Sequence, residues 1–149
     1  MRRCGYRAID SLRAEKGYRY WGSDVTADDT PYEGGLGFCV RLDKGDFVGR
    51  DALVAAGATP ARRLACLTLA DPSRQVLGNE PVRVAGETVG RVTSGALGYT
   101  VGQSIAFAYL PADAAGTGTP AEVLVFGSWV PAVVADDVLH DAAGERVRA

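Results

Sequence analysis

The sequence predicts a mostly β fold, either a closed barrel or a small sandwich, preceded by a segment of helices and loops. Two observations lead to this prediction. The composition changes near residue 60, from helical periodicity, tight turns and dense charge to short apolar runs separated by Gly, Pro and Asp. Six such runs follow at the spacing that is typical of all-β domains. We therefore divide the chain into residues 1–60 and a β domain of residues 61–149.

Residues 5–16 are predicted to form the first helix. Tyr6, Ile9 and Leu12 recur at intervals of three, which places them on one side of a helix. Gly17 stands where a glycine commonly ends a helix. No residue suited to cap a helix precedes Tyr6, so we expect the chain to be truncated there. That apolar side would then lack a cover, and we expect homodimerisation or disorder of the helix.

The next stretch alternates turns with two short elements. Residues 24–31 are polar and end in a proline, so they are predicted to form a loop. Residues 38–42 alternate well enough for a strand, and residues 49–56 predict a short helix that a glycine ends. The glycines of residues 34–37 do not fit a phosphate loop, because a strand and not a helix is predicted to follow. We interpret them as a turn.

From residue 62 onward the pattern is that of strands. The six predicted strands are 63–69, 81–84, 87–93, 104–110, 121–126 and 129–134. Two short turns, one centred on Gly86 and one at 127–128, predict two hairpins. Thr93 and Ser94 close the third strand at a predicted bulge, where their hydroxyls would cap a turn or bind a ligand. The charged end, 136–149, is predicted to be a frayed tail.

Composition excludes several classes of partner. The chain has 16 basic and 18 acidic residues and a net charge of −2, so no attraction to nucleic acid or to an anionic membrane is expected. No apolar run is long enough to span a bilayer, no signal peptide is recognised, and we expect a cytoplasmic protein.

The cysteines Cys4, Cys39 and Cys66 are odd in number and widely spaced. We expect reduced thiols, two of them buried.

The sequence offers little for catalysis or metal binding. His140 is the only histidine and lies in the polar tail, where we interpret it as a surface residue. Neither a nucleophile motif nor a metal-ligand spacing occurs, so no metal is expected. The adjacent pairs Asp28-Asp29 and Asp136-Asp137 are interpreted as solvated carboxylates, since general acid–base work requires desolvation and a shifted pKa.

One short stretch has the composition of a ligand surface. Asp10 and Arg13 stand three residues apart and so predict an ion pair on the helix. Tyr18, Tyr20 and Trp21 follow and offer a flat face on which a conjugated ring could stack. The alternative is that these ions and aromatic rings only anchor the end of the helix. Composition leaves both interpretations open.

The same stretch carries a resemblance to a known family. It resembles the helix and turn at the end of the folate-binding part of glycine-cleavage T-proteins, and later motifs resemble the C-terminal barrel of that family. The matching stretches, in order, are 10–18, 21–26, 30–38, 42–53, 78–81, 89–95 and 106–111. The details Glu15-Lys16-Gly17-Tyr18 and Gly78-Asn79-Glu80-Pro81 look closer to sarcosine and dimethylglycine dehydrogenases or oxidases than to T-proteins proper.

This resemblance implies a fold and a set of binding residues. Residues 61–149 would form a six-stranded Greek-key-like barrel, and residues 1–60 would be the C-terminal remnant of the folate-binding aminomethyltransferase domain. Tetrahydrofolate is the implied cofactor, and the residues implied to contact it are Asp10, Arg13, Tyr18 and Trp21. FAD would bind only in a domain upstream of this chain. The family often has an arginine where Ile9 stands, and its catalytic aspartate has no counterpart here, so no catalytic residue is assigned.

The expected function follows from what the resemblance leaves out. We expect a C-terminal fragment of a tetrahydrofolate-dependent aminomethyltransferase-like protein or N-demethylating dehydrogenase, of the sarcosine or dimethylglycine type. It would be inactive alone and would pair with an upstream half of the enzyme or with a second copy. The alternative is a non-catalytic binding or assembly module built on the same barrel. A self-sufficient small aminomethyltransferase is the third interpretation.

Overall fold

The computed structural model describes residues 5–148, and its main feature is a closed barrel of six antiparallel strands. The strands are β1 (Arg62–Leu69), β2 (Pro81–Val84), β3 (Glu87–Gly98), β4 (Gln103–Pro111), β5 (Pro120–Val125) and β6 (Ser128–Ala135). Around the barrel the order is β1-β4-β3-β2-β5-β6. Because β1 lies beside β4 and not beside β2, the connection is of the Greek-key kind. The predicted six-stranded barrel is therefore confirmed, and the sandwich alternative is wrong.

Short helices lie outside the barrel. They are α1 (Tyr6–Glu15), a 3-10 turn (Gly37–Cys39), α2 (Arg50–Ala56) and α3 (Glu145–Arg148). The predicted first helix and the predicted short helix are confirmed by α1 and α2. Gly17 has a φ of 68°, the left-handed conformation in which glycine commonly ends a helix. A side chain there would also overlap the carbonyl group of Asp137.

Both predicted hairpins are present, and both use turns with two residues of positive φ. Ala85 and Gly86 have φ values of 51° and 85°, as a two-residue turn with the right-handed twist of the flanking strands requires. In the second hairpin the turn residues are Phe126 and Gly127, with φ values of 47° and 81°. The second turn therefore lies one residue earlier than predicted, because Phe126 adopts a conformation that non-glycine residues rarely take.

The barrel is packed on its inside and, over part of its surface, on its outside as well. Along β5 and β6 buried and more exposed residues alternate, as in strands with one face on a core. Along β1 and β4 most residues are buried, including runs of consecutive residues, because the outer faces of these strands are covered too. The outer layer is a cluster of Ala14, Leu64, Cys66, Ile105 and Phe107. The N-terminal segment therefore packs on the barrel as part of the same body, with α1 lying mainly against β3 and β4.

The expected exposure of the apolar side of α1 is confirmed. Tyr6, Ile9 and Leu12 are 66%, 59% and 61% exposed, whereas Ser11 and Glu15 are buried. The predicted helix is formed over Tyr6–Glu15. Homodimerisation through this side stays a prediction.

The strand predicted over 38–42 is wrong. Its first residues belong to the 3-10 turn Gly37–Cys39, and no described strand pairs with the residues that follow. Phe38 is 80% exposed and Cys39 is exposed. A strand needs a hydrogen-bonded neighbour, and the alternating pattern alone supplies none.

The prediction of a frayed tail over 136–149 is also wrong. Asp137 accepts a hydrogen bond from Arg19 at 2.8 Å, and the carboxylate of Asp141 lies 3.2 Å from the ammonium group of Lys16. The backbone N–H groups of Leu139 and His140 both donate to the carbonyl oxygen of Glu15. The tail therefore packs across the end of α1, and His140 is half-buried there.

The two described cysteines differ in environment. Cys66 is fully buried in the outer layer of the barrel, and burial raises the pKa of its thiol to about 12. Cys39 is exposed. The third cysteine, Cys4, lies outside the described residues. Both described thiols are free.

Candidate functional site

A buried carboxylate, Asp24, joins the N-terminal segment to the barrel. Its side chain is completely buried and accepts four hydrogen bonds through its two oxygens. One oxygen accepts from Arg13 Nη1 at 2.9 Å and from the backbone N–H of Tyr20 at 2.8 Å. The other accepts from the hydroxyls of Thr93 and Ser94 at 2.5 and 2.6 Å. A buried charge is tolerated only when it is paired and hydrogen-bonded, and Asp24 meets both conditions.

The hydroxyls of Thr93 and Ser94 thus have a clear role. The predicted bulge is confirmed by a shift of register between Val92 and Ser94 in the pairing of β3 with β4. The bulge turns two consecutive hydroxyls toward the same carboxylate, where regular alternation would point them to opposite faces. They bind Asp24 of the N-terminal segment, so neither predicted role, capping a turn or holding a ligand, describes them fully.

Arg13 is the centre of the predicted ligand surface, and most of its contacts are internal. Besides its bond to Asp24, Nη1 lies 3.4 Å from the carbonyl oxygen of Tyr18. Its guanidinium carbon lies 5.3 Å from the ring centre of Tyr20, within the range of a cation–π contact. Its Nε lies 3.7 Å from a carboxylate oxygen of Asp10 and makes no hydrogen bond within the described chain. The predicted pair of Asp10 and Arg13 is present.

The aromatic residues of the predicted surface are largely open to solvent. Tyr18 is 63% exposed and Trp21 is 72% exposed. Tyr20 is better covered, and its hydroxyl lies 2.6 Å from that of Tyr6 on α1. The structure therefore brings Asp10 and Arg13 together. The rings of Tyr18 and Trp21, a few residues further along the chain, lie exposed at the surface. That these four residues form one wall for a flat ligand stays a prediction.

A second ionic cluster lines a cleft of about 630 Å³ between residues 23–33 and the ends of β3 and β4. Arg62 donates to Asp29 at 2.9 Å and to Glu33 at 2.8 Å. Its guanidinium group also lies 4.6 Å from the ring centre of Tyr109. The hydroxyl of Tyr109 donates at 2.9 Å to the backbone carbonyl of Asp24. The cleft is therefore bordered by a network that ends on the same loop as the buried carboxylate.

The pKa values of this cluster show that its charges are already matched. Burial by itself would raise the pKa of Glu33, but hydrogen bonds from Arg62 and Thr30 outweigh burial and lower it. Burial, and next the negative charge of Asp29, raise the pKa of Tyr109 well above its usual range. At neutral pH Tyr109 is thus a hydrogen-bond donor and Glu33 is a charged carboxylate.

The interpretation of Asp28-Asp29 as a solvated pair is wrong for Asp29, whose side chain is only 9% exposed. The sequence held a signal that would have identified it. Asp29 accepts from the N–H and hydroxyl of Thr26, three residues earlier, at 2.8 and 2.9 Å. Glu33 does the same to Thr30. Two successive Thr-x-x-acid pairs are typical of carboxylates that close turns.

The glycines of 34–37 form a turn, as predicted, and the turn packs on Arg19. Arg19 donates to the carbonyl oxygens of Gly17 and Gly34, and a side chain at Gly35 would approach the guanidinium group of Arg19.

Within residues 5–148 no group of three or more His, Cys, Asp and Glu side chains is placed to hold a metal ion. The described helices are all too short or too polar to cross a bilayer.

Comparison with protein-family models decides the family. Residues 62–141 match the glycine cleavage T-protein C-terminal barrel domain, and residues 1–44 match the GCVT N-terminal domain. The chain belongs to the glycine-cleavage T-protein family. The resemblance noted in the sequence is therefore confirmed, and the fold of this family agrees with the closed barrel described above.

Similar proteins include amine dehydrogenases and oxidases as well as aminomethyltransferases. The chain is 42% identical to 4-methylaminobutanoate oxidase (formaldehyde-forming) of Paenarthrobacter nicotinovorans, over 97% of this chain and 18% of that protein. It is 40% identical to the mitochondrial dimethylglycine dehydrogenase of Homo sapiens, over 91% of this chain and 16% of that protein. With the aminomethyltransferase of Nostoc it shares 43% identity, over 88% and 35% respectively.

A solved structure gives the same picture. The glycine cleavage system aminomethyltransferase T of Bartonella henselae superposes with a TM-score of 0.82 at 27% identity, over 91% of this chain and 38% of that one. The chain thus spans less than two fifths of the length of each of these relatives.

Proposed function

We propose that this chain supplies one wall of a tetrahydrofolate site in an aminomethyltransferase-like or N-demethylating dehydrogenase, and that it is not catalytic alone. One observation carries the proposal. The surface of Asp10, Arg13, Tyr18 and Trp21 lies in the part that matches the GCVT N-terminal domain, and Asp24 fixes it to the barrel. A flat aromatic and ionic surface held in place suits a pterin ring, which needs stacking partners and hydrogen bonds.

The residues present fit one side of a folate and not its enclosure. Trp21 and Tyr18 would stack on the ring, and Asp10 would accept hydrogen bonds from its N–H groups, with Arg13 holding that carboxylate in place. Ligand sites of this size bury most of the ligand surface, whereas these two rings are mainly exposed to solvent. The rest of the pocket, the general base and, in a dehydrogenase, the FAD site would come from polypeptide homologous to the remaining length of the relatives.

Bound tetrahydrofolate would accept a one-carbon unit, and this chain would orient its ring. The relatives include a formaldehyde-forming oxidase and dimethylglycine dehydrogenases, whose names describe reactions at N-methyl amines. We place the division between the folate-binding remnant and the barrel near residue 60. The cytoplasmic location stays a prediction, since several relatives are mitochondrial.

The proposal is tested by titrating tetrahydrofolate into two samples. One is the purified chain, and the other is the chain co-purified with the part of the Nostoc aminomethyltransferase that lies outside the match. We expect a Kd weaker than about 10 μM for the chain alone and binding tighter than that for the complex. Trp21→Ala should weaken binding by the complex. Trp129→Phe is the matched control, because Trp129 packs on Arg83 at the surface of the barrel. One-carbon transfer by the chain alone would overturn the proposal.

The second candidate is a binding or assembly module that uses the same surface without folate. It is favoured by the contacts of Arg13, whose Nη1 already bonds Asp24 and lies near the carbonyl oxygen of Tyr18. A complex that forms and still fails to bind tetrahydrofolate would support this candidate over the first.

A further inference from the structure

The cleft beside Arg62 has the size of a small-molecule pocket and combines apolar with charged walls. Its volume is about 630 Å³, within the range in which such pockets usually fall. Val89, Leu110 and Pro111 of the barrel form an apolar part of its lining, and residues 23–33 contribute polar and acidic groups. None of its lining residues belongs to the surface that we propose for tetrahydrofolate. The cleft can therefore take a ligand with an apolar body and polar ends.

Arg62 has unused hydrogen-bonding capacity on this cleft. Its Nε and Nη2 donate to Glu33 and Asp29, and its guanidinium carbon lies 4.6 Å from the ring centre of Tyr109. Its Nη1 makes no hydrogen bond to any of residues 5–148. A guanidinium group has five N–H donors and can bind a carboxylate through two of them. Arg62 can therefore bind a further acceptor and keep its two present partners.

Arg91 and Asp28 are the two charged groups of the cleft that lack an ionic partner in the described part of the chain. Arg91 is exposed and donates at 3.1 Å to the side-chain oxygen of Asn79, which is a neutral group. Asp28 is exposed as well, and its carboxylate accepts no hydrogen bond within residues 5–148. The other two acids of the cleft both bond Arg62. One cation and one anion are therefore available to a ligand.

The balance of charge favours a ligand that carries both signs. Three carboxylates and two guanidinium groups line the cleft, an excess of one negative charge. A simple anion would be repelled by that excess, and a simple cation would meet the guanidinium groups of Arg62 and Arg91. A zwitterion can direct its carboxylate to the two arginines and its ammonium group to Asp28. Charged pairs that are partly shielded from water are stronger than those in bulk solvent.

We propose that this cleft binds an amino acid in its zwitterionic form, with an apolar side chain against Val89, Leu110 and Pro111. The probe is phenylalanine, titrated into the whole chain at pH 7 and low salt with calorimetry as the readout. Phenylpropionate and phenethylamine are the matched controls, because the first lacks the ammonium group and the second lacks the carboxylate. We expect a Kd of about 1 mM or tighter for phenylalanine. Each control compound should bind at least about tenfold more weakly.

Two substitutions test the assignment of the charges. Arg91→Gln and Asp28→Asn should each weaken phenylalanine binding about tenfold, since each removes one ionic partner of the ligand. Both positions are exposed, so circular dichroism should show an unchanged fold. Arg74→Gln and Asp46→Asn are the matched controls, because they remove the same charges from exposed positions outside the cleft. The affinity should stay within about twofold in these two variants.

Amide chemical shifts in NMR spectra of the unaltered chain give the location of binding independently of any variant. We expect phenylalanine to shift the amides of residues 26–33 and 89–93. Equal affinity for the three compounds, or no saturation by phenylalanine at about 10 mM, would overturn the proposal. So would shifts confined to other residues, or an equal loss of affinity in the cleft variants and their controls.

Discussion

Replacing Asp24 by alanine is the sharpest single test of how the N-terminal segment is held. The substitution removes a completely buried carboxylate. One of its oxygens accepts from Arg13 and from the backbone N–H of Tyr20, and the other accepts from two hydroxyls. The side chain of Arg13 is only 11% exposed. Water therefore cannot solvate its charge unless the N-terminal segment separates from the barrel. The nearest remaining carboxylate, Asp10, is 3.7 Å away.

The magnitude follows from these contacts. Removing one partner of a buried ion pair costs about 3–5 kcal/mol, because the other charge is left buried and unpaired. The hydroxyls add less, since they can rotate, and that of Thr93 also lies 3.2 Å from a carbonyl oxygen of β4. We expect Asp24→Ala to lower the free energy of unfolding by about 4 kcal/mol. Asp24→Asn keeps the shape and loses the charge, so its cost should be about 2 kcal/mol.

The assay is urea unfolding followed by circular dichroism, with midpoints and slopes fitted for each variant. Asp28→Ala is the matched control, because this neighbouring aspartate is exposed. Its effect should stay within about 0.5 kcal/mol. If the unfolding free energy of Asp24→Ala lies within about 1 kcal/mol of that of the unaltered protein, this carboxylate does not hold the N-terminal segment to the barrel. A larger loss for Asp24→Asn than for Asp24→Ala would contradict the charge argument as well.

Three further outcomes are expected. Gly90→Ala should destabilise the barrel by more than about 2 kcal/mol in urea unfolding, because the new Cβ would overlap a carbonyl oxygen of β4. Gly116→Ala is the control and should be nearly neutral, because the atom nearest to its Cβ is a hydroxyl oxygen at 3.8 Å. Iodoacetamide at pH 8 should label Cys39 in the folded protein and Cys66 only in urea, since a thiol with a pKa of about 12 stays protonated; peptide mass mapping would show otherwise. The pKa of Glu33 is lowered in the fold, so its stabilising effect is complete above about pH 4.3 and is lost as pH falls through its folded-state pKa. The difference in unfolding free energy between Glu33→Gln and the unaltered protein should therefore shrink between pH 6 and pH 3, and a constant difference would count against the ion pair.

The sequence predicted those features that depend on near neighbours. Gly17 ends α1 and Gly86 turns the first hairpin, because each position needs a positive φ that glycine adopts freely. Phe126 was missed at the second hairpin, since there the strands impose on a phenylalanine a conformation that its own preference disfavours. Residues 38–42 show the converse limit: their alternation is local, whereas pairing requires a second strand.

The candidate site was predictable only in part for the same reason. The ion pair of Asp10 and Arg13 spans three residues of one helix and could be read from spacing. Asp24 could not, because its hydroxyl partners Thr93 and Ser94 stand 69 and 70 residues away and meet it only once the barrel has closed. Nothing in the local sequence distinguishes this aspartate from the exposed Asp28.

Two buried carboxylates, Asp24 and Glu15, explain why this arrangement is specific. An apolar contact tolerates small shifts, but a buried carboxylate that loses its donors bears a large desolvation cost. The hydrogen bonds to these two carboxylates therefore define a single register between α1 and the barrel. The polar side of the helix is thereby committed to the barrel, and its apolar side is presented at a fixed position. The ligand wall proposed for this part of the chain would therefore stand beside a helix whose orientation hydrogen bonds have already determined.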